Sequence, residues 1–265
     1  MYAFEYLRAG SLDEACARLS EGSARALAGG QTLLGAMKLR MSQSDRLVDL
    51  GGIAELRGIE DRASSLVIGA MARHAEVAAS ARVRERIPAL AALAAGIGDV
   101  QVRNMGTIGG SVANNDPAAC YPSALLALDA TVHTSRRSLK AEAFFTGFYG
   151  TALEDGELIR SVEFPVPRRA AYIKFHQPAS RFALIGVFVA QTAGGVRVAV
   201  TGGGAGVFRA TALEFALDQA FTADSLRGLR FPPDDLASDL HASAEYRAHL
   251  IPVLASRAVE QALAG

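Results

Sequence analysis

Two glycine-rich stretches limit most strongly what this chain can fold into. Residues 27–40 read LAGGQTLLGAMKLR and residues 104–117 read NMGTIGGSVANNDP. Each sets a glycine pair beside small polar residues and then returns to an apolar run. Glycine has no Cβ and reaches φ > 0 cheaply, so such a backbone can lie close against a ligand. Successive exposed N–H groups in a turn of this kind form a concave nest for an anion such as a pyrophosphate. Gln31, Thr32, Thr107 and Ser111 can add side-chain hydrogen bonds without bulk. Either stretch alone is more readily a tight turn with no ligand; two in one chain shift the balance modestly towards a nucleotide site.

The flanking segments support that reading. An apolar strand at 24–28 runs directly into Gly29 and Gly30, and helical periodicity resumes at Leu33. In a strand, glycine turn and helix start, backbone amides and helix dipole both favour phosphate. Lys38 lies too far along that helix to cap it and reads as solvated. Ser11 followed by Glu14 reads as a capping box for a helix in which Leu12, Ala15, Cys16 and Leu19 share the core face. Further strands are expected at 47–50, 65–69 and 130–134, and helices at 71–78, 87–97 and 118–128. Residues 156–165 read as an edge strand because they end at Pro165. Residues 165–170 read as a hinge, and 182–190 with 196–201 as a hairpin. The third glycine cluster, 202–206, reads as a loop because no helix start follows it. The remainder, 210–264, is expected to be mainly helical with a break at 231–235. Its Tyr246, Leu250, Val253 and Leu254 form a core stripe, and Pro252 is expected to kink it. His74 has no partner at metal-ligand spacing and reads as a surface or helix-capping residue; nothing fixes a role for His176.

Composition narrows the function. The chain of 265 residues can bury a substantial core in two domains, and its 27 basic and 27 acidic residues cancel. Nothing points to nucleic acid or to an anionic membrane as partner. Cys16 and Cys120 are the only cysteines. Two cannot make a Cys-ligated iron–sulfur cluster or a four-cysteine zinc site. They read as free thiols of a reducing compartment, with one disulfide left open. Early charge at the N-terminus and the shortness of the apolar run at 182–190 lead us to expect a soluble cytoplasmic protein without a transmembrane segment. No nucleophile–base constellation or metal motif is recognisable, so the chemistry is expected to belong to a cofactor.

The two stretches carry a family resemblance. AGGQTLLGAMKLR resembles the first flavin loop, near AGG-[HQ]-[ST]-LLP-x-MKLR, of the FAD-binding medium subunit of molybdenum hydroxylases, the carbon monoxide dehydrogenase and xanthine dehydrogenase type. Residues 101–130, QVRNMGTIGGSVANNDPAACYPSALLALDA, resemble its second loop, in the same order and at the same spacing. The segments FFTGFY (144–149), AYIKFHQPASRFALIG (171–186) and SAEYRAHLIPVL (243–254) continue it.

The resemblance implies an α+β fold: a PCMH-type FAD-binding region at 1–167, with subdomains at about 1–56 and 57–167, then a C-terminal domain at 168–265 with a small antiparallel sheet and helices. It implies that FAD contacts Ala28, Gly29, Gly30, Gln31, Thr32 and Leu33 in the first loop, and Thr107, Gly109, Gly110 and Ser111 in the second. Asp116 either takes a ribose hydroxyl or caps the next helix. By resemblance Ile97 also belongs to the cofactor site and Ile159 packs on the ring system; Lys174 and Phe182 contact the ring, the lysine tuning it by charge and the aromatic by stacking. Cys120 departs from the family's usual aspartate facing the nucleotide. The implied function is electron transfer: 2Fe-2S clusters of a small subunit, fed by a molybdopterin-bearing large subunit, reduce FAD, and an external acceptor reoxidises it. A dimer of heterotrimers is the implied assembly. The alternatives are a free-standing flavin oxidoreductase of the same fold and a non-catalytic assembly subunit. Valine at Gly30 or Gly109 is expected to abolish flavin retention while leaving the fold largely intact.

Overall fold

The computed structural model describes residues 1–265. Its N-terminal part alternates short strands and helices: β1 (Glu5–Arg8), α1 (Leu12–Leu19), β2 (Ala24–Leu27), α2 (Leu33–Lys38) and β3 (Arg46–Asp49). The strands form a parallel sheet in the order β1-β3-β2. β1 was not expected, because its short run is mostly exposed and lacks alternation. Ser11 caps α1 by accepting from the Glu14 amide, but the Glu14 carboxylate turns to the Gly10 N–H at 2.9 Å. The hydroxyl cap forms and the reciprocal bond to Ser11 does not. Parallel strands bring the β2–α2 loop to the carboxyl end of the sheet, where open α/β sheets hold ligands.

A second sheet is built from β4 (Ile59–Asp61), β5 (Ser65–Gly69), β6 (Thr131–Thr134), β7 (Ser138–Lys140) and, after a hairpin of β8 (Phe145–Gly147) and β9 (Gly150–Thr151), β10 (Ile159–Pro165). The order is β4-β5-β10-β6-β7, with antiparallel pairing. β10 is therefore the central strand, not an edge. Pro165 is tolerated because it is the last residue, and pairing with β6 stops at Glu163. Seven helices lie between β5 and β8: α3 (His74–Ala79), α4 (Ala81–Arg86), α5 (Pro88–Ala95), α6 (Val100–Met105), α7 (Ile108–Asn114), α8 (Tyr121–Ala127) and α9 (Ala141–Phe144). Leu66, Ile68, Val162 and Phe164 of the sheet join Leu90, Leu93 and Leu125 of the helices in one core, all fully buried.

Only three residues separate β10 from β11 (Arg169–His176), and they are tied down, Val166 to the Ser64 carbonyl and Arg168 to the Gln191 carbonyl. A third sheet follows, antiparallel in the order β11-β12-β13-β14, with β12 (Ala183–Thr192), β13 (Gly195–Thr201) and β14 (Phe208–Arg209). Phe188, Ala190 and Ala199 face the α5 and α8 layer, while Ile185, Val187, Val189 and Val198 face α11 (Ala244–Ala264) and α10 (Thr211–Gln219). Burial on both faces explains why β12 reads as an unbroken apolar run instead of an alternating one. Each valine, isoleucine or phenylalanine among them contributes about 1.5–3 kcal/mol by leaving water.

Residues 210–264 are mainly helical as expected, but the break is wider than 231–235. Between α10 and α11 the chain is irregular except for a short turn at Ala223–Leu226. α11 runs through Pro252 as one helix capped by Ser243. Its buried face is Arg247, Leu250, Ile251, Leu254 and Ala258; Tyr246 is exposed and meets the Phe175 ring edge-on at 6.2 Å.

Candidate functional site

The two glycine stretches meet. A Cβ on Gly29 would run into the Met105 carbonyl and stand 2.7 Å from Gly106 Cα, and one on Gly110 would stand 3.5 Å from Ala28 Cβ. The first stretch therefore lies directly on the α6–α7 turn, an approach open only to glycine at position 29. Gly30 turns the chain at φ +70°.

Their backbones differ in what remains unbonded. The five consecutive amides of Ala28, Gly29, Gly30, Gln31 and Thr32 donate to no acceptor in the protein. The Gln31 side chain donates to the Gly29 carbonyl at 3.3 Å, and Thr32 precedes α2 without making a capping bond. Leu33, half-buried, begins the helix, and Lys38 is exposed as expected. This is an open row of donors in a glycine cradle that a Cβ would fill.

The second stretch is different. Thr107 is the N-cap of α7, its hydroxyl accepting from the Gly110 amide at 3.1 Å, and Gly109 and Gly110 lie in the first turn of that helix. The Ile108 amide donates to Ala72, Gly109 to Ala70 and Ser111 to Thr107. Between Gly106 and Ser111 only the Thr107 amide stays free, so the expected second nest is absent. Gly109 is required for another reason: a Cβ there would lie 2.5 Å from Ala70 Cβ and 2.8 Å from the Ala70 carbonyl oxygen. Valine at Gly109 must therefore damage the fold, contrary to the expectation from sequence.

Beyond α7, Asn115 adopts φ +43° and donates from Nδ2 to the carbonyls of Gly147 and Gly150, clamping the β8–β9 hairpin. Asp116 accepts from the Ala118 amide at 2.8 Å and from the Tyr149 hydroxyl at 3.0 Å. It does not cap α8, whose N-cap is Cys120. Burial first, and Asp116 second, push the Tyr149 phenol up to about 12. Thr201 donates to the carbonyls of Pro117 and Ala119, and Gly202 to Pro117, so the third glycine cluster pins this segment. Sequence reasoning missed Asn115, Tyr149 and Thr201; the one available signal was their position within or beside the quoted motifs.

The residues assigned to the ring system divide. Ile159 is 5% exposed and belongs to the main core, while Ile97 is half-buried against it. Phe182 is 50% exposed and lines a cleft of about 360 Å³ with Asp116, Phe148, Tyr149, Gln177 and Arg247. Lys174 is half-buried: its ammonium donates to the Gly96 carbonyl at 2.7 Å and the Arg181 carbonyl at 3.0 Å, with the Cys120 sulfur at 3.6 Å. His176 is exposed.

His74 is corrected most sharply. It is 4% exposed, it follows the N-cap Arg73 instead of serving as a cap, and it packs against the Tyr121 ring at 5.4 Å beneath Gly106. Burial and then nearby Arg103 lower its pKa to about 4, so it is neutral in the fold.

Comparison with known proteins agrees with this architecture. Residues 2–167 match the family described as the FAD binding domain in molybdopterin dehydrogenase. The carbon monoxide dehydrogenase medium chain of Hydrogenophaga pseudoflava is 34% identical, the match covering 98% of this chain and 97% of that one. The nicotine 6-hydroxylase medium subunit of Paenarthrobacter nicotinovorans is 31% identical over 98% of this chain and 97% of its own. Among solved structures, a carbon monoxide dehydrogenase from Hydrogenophaga pseudoflava, in a form lacking the Mo-pyranopterin moiety, superposes with a TM-score of 0.90 at 35% identity, covering 99% of this chain and 98% of that one. A glycine cradle with five free donors fits the pyrophosphate of the cofactor that names the family. The chain belongs to the FAD-binding family of molybdopterin dehydrogenases, as a medium, FAD-carrying subunit of the molybdenum hydroxylase type.

Proposed function

We propose that this chain relays electrons: it takes them from the 2Fe-2S clusters of a small partner subunit, fed by a large molybdopterin-bearing subunit, and delivers them to an external acceptor. When bound, FAD supplies the redox centre. The observation that carries the reading is the row of free amides from Ala28 to Thr32. Ala28, Gly29 and Gly30 are half-buried and Gln31 and Thr32 exposed, so the row is open to water or to a ligand that completes its hydrogen bonds.

The chain's own residues have distinct parts in this reading. The amides of Ala28, Gly29, Gly30, Gln31 and Thr32 bind the pyrophosphate, and Leu33 closes the cradle from α2. Thr107 holds Gly110 and Ser111 in a helical turn against the first loop, and its hydroxyl proton remains available to the cofactor. Asp116 retains lone pairs for a ribose hydroxyl while Tyr149 fixes its orientation. Ile97 and Ile159 supply apolar surface, Phe182 covers the ring and Lys174 places a positive charge beside it. The units 1–56, 57–167 and 168–265 would then hold the cofactor between them. The two cysteines cannot supply a Cys-ligated cluster, so the iron–sulfur and molybdopterin centres belong to partners. No helix is long and apolar enough to cross a membrane; we place the assembly in the cytoplasm, as a dimer of heterotrimers.

The test is the visible spectrum of the purified chain, with the chromophore released by denaturation and identified by chromatography. FAD is the expected product. A chain that carries no flavin and takes none up, alone or with its partner subunits, would end this reading.

A further inference from the structure

The chain uses lysine only three times among its 27 basic residues. One of the three, Lys174, places its ammonium between two carbonyl oxygens, Gly96 at 2.7 Å and Arg181 at 3.0 Å. No carboxylate pairs with it, whereas Lys140 pairs with Asp129 at 3.1 Å. Its remaining neighbour is the thiol of Cys120, 3.6 Å away and 6% exposed. Tyr172 lies two residues earlier on β11 and so on the same face. Its hydroxyl is buried without a hydrogen-bond partner. Burial, and then Cys120, hold that phenol well above its usual range, so it contributes no negative charge. The groups of the protein bonded to this positive charge are therefore two backbone carbonyls and a thiol, none of them a carboxylate.

We propose that Cys120, by standing where a carboxylate would pair with Lys174, leaves this ammonium unneutralised and thereby tunes the redox potential of the bound flavin upwards. The inference rests on the placement of the flavin ring beside Lys174 given above. Oxidised FAD takes up two electrons and one proton to give a reduced ring bearing one negative charge. An unpaired ammonium nearby stabilises that product relative to the oxidised ring, in a setting where Coulomb interactions are less screened than in water. An aspartate at position 120 would cancel the charge through an ion pair. Cys120 is thus a positioning residue that acts through Lys174.

The experiment uses the full-length chain loaded with FAD and measures two quantities, the dissociation constant for oxidised FAD and the equilibrium midpoint potential, poised with dithionite against a reference dye. Cys120→Asp should lower the preference for reduced over oxidised FAD about tenfold, a shift of about 30 mV to more negative potential for a two-electron couple. Lys174→Met should shift it in the same direction. Cys120→Ser, which adds no charge, should keep the wild-type potential, a rescue that a purely structural role for the thiol does not predict. If Cys120→Asp does not fold, Lys174→Met and Cys120→Ser decide the question. Normal FAD binding with an unchanged potential in Lys174→Met, or in a folded Cys120→Asp, overturns this inference alone. Failure of the wild-type chain to bind FAD overturns the site, and this inference with it.

Discussion

The two glycine stretches look alike as strings and differ as structures. The first leaves five amides unbonded, while the second spends the amides of Ile108, Gly109, Gly110 and Ser111 on Ala70, Ala72 and Thr107. The first is built to receive a ligand and the second to bring the helical layer against it. A glycine pair therefore has two physical uses, an exposed nest or a close approach of two backbones. The destination of its N–H groups tells them apart.

Substitutions at the two pairs should separate these uses. The largest effect is expected for Gly109→Val, whose side chain would press on the backbone of Ala70. It should cost about 3 kcal/mol or more, lowering Tm by roughly 10 °C in a thermal melt of the apoprotein. An unchanged melt would show that the second stretch is as open as the first. Gly30→Val is expected to act on the ligand instead. Branched side chains are strained at φ +70°, and its nearest neighbour is the flexible Leu34 side chain. FAD affinity should fall about 100-fold, or about 2.7 kcal/mol, with an apoprotein melt lowered less than in Gly109→Val. Full flavin occupancy would contradict the cradle.

Acid should loosen the second stretch selectively. His74 lies beneath Gly106 with its pKa lowered to about 4 from 6.5. The unfolded chain binds its proton more readily, so this contribution is complete above pH 6.5 and is lost as pH falls from 6.5 towards 4. The loss should be on the order of 3 kcal/mol in denaturant midpoints, and His74→Phe should flatten that slope. Equal slopes in both proteins would remove His74 from the account. The smallest effect is expected for Thr107→Val, which deletes the cap on Gly110 and should cost about 1 kcal/mol of stability. A much larger loss of FAD affinity than of stability there would mean that the Thr107 hydroxyl also touches the cofactor.

Much of the fold was legible in short-range pattern. The strand at 65–69 and the hairpin of β12 and β13 follow their apolar runs, and Ser11 caps α1 where the sequence places it. Misreadings arose where partners decide the outcome. Pro165 suggested an edge, but a proline at the last position of a strand costs a central strand no ladder bond once its neighbour has ended. His74 looked like surface because nothing adjacent in sequence reveals that Tyr121 and Gly106 close over it. Tyr246 belonged to the expected core stripe, yet α11 turns the Arg247, Leu250 and Leu254 side inward.

The sequence by itself determined the family, through two long motifs in fixed order, and it identified the loops that bend at glycine. Those are local properties, set by residue type and backbone sterics. Which loop keeps its amides free, where Lys174 finds its carbonyls, and whether Cys120 meets a positive charge were decided only by the tertiary structure. Each of these depends in part on groups tens of residues away in the chain, such as Gly96 and Cys120 for Lys174, brought within 4 Å only when sheets and helices pack.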